Sequence, residues 1–75
     1  MSKKLRSIGK IIQRLREERG ITQGELGKRL GTTQSAIARI EKGEQNLSTD
    51  TLSHIGETLG VDVVNVGTGA INIRI

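Results

Sequence analysis

The chain has no cysteine, no phenylalanine, tyrosine or tryptophan, and a single histidine. Without cysteine there are neither disulfides nor thiolate metal ligands, and a reducing compartment is expected. One histidine is too few of the usual ligands for zinc, so no metal and no cofactor is expected. The missing aromatics bear on nucleic acid. Single strands and RNA loops are mostly gripped by stacking bases on aromatic rings, so the duplex is the form this chain would favour. No apolar stretch approaches the roughly 20 residues that span a bilayer, and no signal-peptide pattern precedes the charged start. A cytoplasmic protein with no membrane partner is expected. Catalysis is not expected either: there is no cysteine nucleophile and no paired-carboxylate motif, and His54 reads as a helix-surface residue.

What is present is unevenly distributed. Residues 1–45 hold eleven Lys and Arg against five Glu, a balance of +6, while residues 46–75 hold one Arg against three acids, −2; together these give the net +4. A basic half is the electrostatic footprint of a polyanion-binding surface, although it serves solubility as well. Seventy-five residues suffice for one small domain.

Four helices can be read from caps, stops and apolar spacing. Ile8, Ile11, Ile12 and Leu15 form one stripe of a helix from about Leu5 to Arg19, with Gly20 at the left-handed stop. Thr22 and Glu25 have the capping-box spacing, and Ile21 and Leu26 occupy the staple positions around them. That second helix ends near Leu30, before Gly31. Thr33 caps a third helix from Gln34 to Lys42, stopped by Gly43. Ser48 caps a fourth, with Leu47 and Leu52 as staple, Leu52, Ile55 and Leu59 as its buried stripe, and Gly60 as its end. Beyond it, Val61, Val63, Val64 and Val66, then Ile71, Ile73 and Ile75, flank Gly67-Thr68-Gly69, which reads as a β-hairpin. Without a third glycine and a following helix, that Gly-x-Gly is no dinucleotide loop.

Two short helices joined by the tight turn Gly31-Thr32-Thr33 make a helix-turn-helix unit, whose second helix can enter the major groove. On a helical wheel of residues 34–42, Ile37 and Ile40 point inward with Glu41 beside them. Ser35, Arg39 and Lys42 point the opposite way, and Gln34 projects from the N-terminal end. The outward face is polar and hydrogen-bonding, suited to base edges and phosphates.

The segment ITQGELGKRLGTTQSAIARIEKGEQNLSTDTLSHIGETLGV resembles the Cro/C1-type (XRE) helix-turn-helix family, to which phage repressors belong. The Thr-Gln opening, the Leu-Gly turn, the Thr-Gln start of the next helix and the Ile-x-x-Ile-Glu-x-Gly ending all match, over roughly residues 8–61. Gly27 and Gly56 depart from it, standing where alanine is usual. The resemblance implies a mainly α, lambda-repressor-like domain of four to five helices over residues 1–60, to which the valine and isoleucine runs add residues 61–75 as a β-hairpin or strand extension. It implies sequence-specific binding of double-stranded DNA by a transcriptional regulator, a repressor, working at the nucleoid.

By the same resemblance, Gln34, Ser35 and Arg39 are the base-reading residues, with Gln34 suited to adenine and Arg39 to guanine. Gln23, Thr33, Lys42 and Asn46 fall to phosphate, with capping an equal role for Thr33 and the acidic Glu44 unfavourable nearby. Arg16, flanking the first helix's stripe, and Glu41 form a partly buried ion pair in the family. From the residues alone, the alternating Ile71, Ile73 and Ile75 present an apolar face that must be covered, either by the chain's own helices or, as the preferred reading, by a second copy of the chain, making a homodimer. Two other readings stay open: an antitoxin that binds DNA and a toxin, and a regulatory extension of a larger enzyme. A third is a protein-interaction module that does not use DNA.

Overall fold

The computed structural model describes the backbone of residues 3–65 and 71–74 and the side chains of residues 3–61. In chain order the helices are α1 (Lys3–Glu18), α2 (Gln23–Leu30), α3 (Gln34–Lys42) and α4 (Thr49–Leu59). Two strands follow, β1 (Asp62–Asn65) and β2 (Ile71–Arg74), paired antiparallel with Val63 opposite Ile73. The glycine turn at 67–69 and Ile75 lie outside the described residues.

Each of the last three helices begins where a side chain satisfies an otherwise orphaned amide. The Thr22, Thr33 and Ser48 hydroxyl oxygens accept from the N–H groups of Glu25, Ala36 and Thr51 at 3.0–3.1 Å. At α2 the box is closed by the Thr22 amide donating to Glu25 Oε1 at 3.2 Å. Gly31, Gly43 and Gly60 end the same helices in the left-handed conformation, with φ of 72–76°. α1 differs from its expected bounds. Lys3 and Lys4 continue it N-terminally, while Arg19 and Gly20 belong to the closing turn, where Ile21 donates its N–H to Arg16 O at 3.1 Å. The first turn of α1 carries basic residues and no acid, which opposes the helix macrodipole.

One core holds the helices together. Ile8, Ile12 and Leu15 of α1 meet Ile21, Leu26, Ile37, Ile40, Leu52, Ile55, Leu59 and Val61, with Leu30 and Leu47 packed at its margin. Ile11, assigned to the apolar stripe by spacing, is instead 41% exposed. It lies at the stripe's edge, about 67° from the mean direction of Ile8, Ile12 and Leu15 at 100° per residue.

Two glycines set how closely the elements approach. A Cβ on Gly9 would lie 2.5–2.6 Å from the carbonyl oxygens of Glu41 and Ile40, so α1 rests directly on the C-terminal backbone of α3. A Cβ on Gly27 would meet the Thr33 carbonyl group at 3.0–3.1 Å, which gives this departure from alanine a packing reason in the turn between α2 and α3.

Gly9→Ala should therefore lower stability by about 1–3 kcal/mol through overpacking. Gly24→Ala, whose added carbon meets nothing closer than 3.9 Å, should raise it by up to about 1 kcal/mol through helix propensity. Urea midpoints of the two variants check the opposite signs. A second expectation concerns acid. The N–H of Thr22, then its hydroxyl, hold the Glu25 carboxyl below the usual carboxylate range. That contribution is complete above the ordinary carboxylate pKa and is lost as pH falls through the lowered one. Thermal melts from neutral pH to pH 2 should show a shallower acid loss in Glu25→Gln than in the parent chain.

Candidate nucleic-acid interface

The site begins with a buried carboxylate. Glu41 sits on the inward side of α3 with its side chain 3% exposed, and Arg16 of α1 meets it with 10% exposed. Arg16 Nε donates to Glu41 Oε2 at 2.7 Å and Nη2 donates to Oε1 at 3.1 Å, a bidentate pair. The remaining arm of the guanidinium, Nη1, donates to the carbonyl of Ile21 at 2.8 Å, just before α2. The hydrogen bond to Glu41, followed by its charge, raises the Arg16 pKa above the usual value despite burial.

Gln23 joins this group. Its Nε2 donates to Glu41 Oε1 at 3.0 Å from the first turn of α2. One carboxylate thus ties α1, α2 and α3 together, and no buried side-chain nitrogen or oxygen among the described residues lacks a partner. Sequence reasoning assigned Gln23 to phosphate alone and did not see this bond, which spans 18 residues of chain. An amide nitrogen carries two protons, so one remains to donate outward.

Fixed in this way, α3 turns a consistent face to solvent. Gln34, Ser35, Arg39 and Lys42 are all exposed, while Ile37, Ile40 and Glu41 are buried. Thr33 is exposed and its oxygen is used as the α3 cap, which leaves the hydroxyl proton free to donate. Asn46 is exposed in the segment after α3, as are Glu44 and Gln45. The Glu44 N–H donates to Arg39 O at 2.9 Å, so this acid is held close to the helix end. The base-reading and phosphate candidates on α3 therefore share one surface, and Gln23 links that surface to the interior.

A separate cleft of about 310 Å³ lies between the turn, α3 and α4, with Thr32, Ala36 and Ile40 on one side and Asp50, His54 and Ile55 on the other. Among the described residues no group of three His, Cys, Asp or Glu could hold a metal ion, and no helix is long and apolar enough to cross a membrane.

Comparison with known proteins follows the same outline. A helix-turn-helix family model matches residues 12–64. An uncharacterised HTH-type transcriptional regulator of Sinorhizobium fredii is 36% identical over 61 residues, covering 81% of this chain and 79% of that protein. The immunity repressor protein of Bacillus phage phi105 is 33% identical over 57 residues, 76% of this chain but 40% of the repressor. Two crystal structures of the clp gene regulator ClgR from Corynebacterium glutamicum superpose with TM-scores of 0.78 and 0.77 at 20% identity. They cover 81% of this chain and 78% and 65% of theirs, a likeness of fold.

Removing the buried carboxylate should be costly. In Glu41→Ala the Arg16 guanidinium is left unpaired, and stability should fall by about 3–5 kcal/mol, or less where water reaches the gap. Chemical denaturation measures it, and an unchanged midpoint would show that the pair holds nothing together.

Proposed function

The chain belongs to the Cro/C1-type helix-turn-helix family, and on that premise we propose that it binds double-stranded DNA by sequence, as a transcriptional regulator that represses by occupying its site. The observation that carries this reading is the two-sidedness of α3. Its inward residues are committed to the core and the ion pair, and its outward residues are a contiguous set of exposed donors and acceptors.

In this reading α3 enters the major groove, which at roughly 12 Å is wide enough for a helix. Gln34 makes a paired contact to adenine, Arg39 makes one to guanine O6 and N7, and Ser35 reads a neighbouring edge. Gln23, Thr33, Lys42 and Asn46 bind phosphates and set the register of the helix in the groove. Gln23 does so with its second amide proton while the first stays on Glu41, so the contact is made by a side chain already oriented. The reaction is binding alone and uses no cofactor.

Residues 1–60 form the DNA-binding unit, and residues 61–75 form the β extension that joins two copies. In the sequence Ile71, Ile73 and Ile75 recur at every second residue, the spacing of one strand face, and on this reading a partner copy covers them. A two-fold dimer then reads two half-sites about 34 Å apart. A regulator of this kind works at the nucleoid, in the cytoplasm.

Selection of bound sequences from a random duplex pool at fixed salt tests this reading, and a two-fold symmetric motif is the expected product. Arg39→Ala should relax preference at one position per half-site, by about 1–3 kcal/mol, and leave the rest of the motif intact. A pool that stays random after selection would refute the assignment.

A further inference from the structure

Resting on the reading that this chain binds duplex DNA, we propose that the exposed basic stripe of α1, formed by Lys3, Arg6 and Lys10, is a second phosphate-binding surface on the same duplex. It continues the contact past the C-terminal end of α3.

The stripe and its position are separate observations. Lys3, Arg6, Lys10 and Arg14 are all exposed and recur at steps of three, four and four residues, which places them along one face of the helix. Among the described residues, none of Arg6, Lys10 and Arg14 forms a salt bridge. The acids of α1, Glu17 and Glu18, lie at its other end, so positive charge is concentrated over its first turns.

Those turns are packed against the recognition helix. Gly43, the stop of α3, approaches so closely that a Cβ on it would lie 2.8 Å from Arg6 Cα and N. Gly9 sits against the Ile40 and Glu41 carbonyls in the same way. Arg6, within the basic stripe, therefore lies against Gly43, the residue that follows Lys42 at the C-terminal end of α3. From Lys3 to Lys10 the helix advances about 10 Å. A duplex carries one charge per roughly 1.7 Å of its axis, so several phosphates fall within that span. Cations crowded into the first turn of a helix oppose its dipole, and a facing polyanion offsets that repulsion.

The test is equilibrium binding of the full chain to its selected duplex over a series of salt concentrations. Each phosphate contact contributes about 0.9 to the slope of log affinity against log salt. Arg6→Gln with Lys10→Gln should reduce the slope by about 2 and leave the selected sequence unchanged. Lys10→Gln alone, at an exposed position, should give about half that drop, so a folding defect in the double variant cannot be mistaken for the effect. Lys28→Gln with Arg29→Gln removes the same charge from the last turn of α2 and should leave the slope close to that of the parent. Equal drops for the two pairs would mean that net charge alone acts, and would overturn the proposal. An unchanged slope in the α1 variant, with sequence preference retained, would also overturn it while leaving the DNA-binding reading intact. Absence of duplex binding by the parent chain would remove both.

Discussion

The carboxylate of Glu41 is the point on which this fold depends. It lies in the interior of a 75-residue protein with a small aliphatic core, where an unpaired charge would be strongly unfavourable. Two nitrogens of Arg16 and one of Gln23 compensate it, and each comes from a different helix than its own. Apolar contacts between helices tolerate sliding; a bidentate guanidinium does not, because its donors match the two oxygens in one orientation only. Arg16 also holds the carbonyl of Ile21, so the entry to α2 is fixed by the same side chain.

This constraint has a consequence at the surface. Glu41 and Arg39 lie two residues apart on a nine-residue helix and project to different sides of it, so fixing the inward side of α3 fixes the direction of its outward side. The N-terminal cap from Thr33 and the left-handed Gly43 limit the helix to that length. Gly9 and Gly43 let α1 lie against its C-terminal backbone with no side chain between. A helix held at its start, middle and end can be docked as a rigid body, and little ordering entropy remains to oppose binding.

Much of this was legible in the sequence because it obeys local rules. Thr22, Thr33 and Ser48 with Gly31, Gly43 and Gly60 marked the bounds of α2, α3 and α4, since caps and left-handed stops act within a few residues. The inward direction of Glu41 followed from the wheel of α3, and its pairing with Arg16 from the family resemblance. What escaped was tertiary. Ile11 has the spacing of a core residue but lies at the edge of the buried face. Gly9 reads only as a weak helix former until the backbone of α3 is seen beneath it. The bond from Gln23 to Glu41 joins residues with no local relation, and it gives a surface glutamine an interior role. The alternation of Ile71, Ile73 and Ile75 suggests an apolar face, but what covers that face is not written in the alternation.

The most direct measurement is an NMR titration of the isotopically labelled chain with its selected duplex. The account predicts that the largest amide shifts fall at Gln34, Ser35 and Arg39 and at the first turn of α2. Glu41 and the buried residues of α1 should move little, because the carboxylate node is already formed before DNA arrives. Shifts concentrated instead along Asp50–His54 of α4, with the outward face of α3 silent, would contradict it.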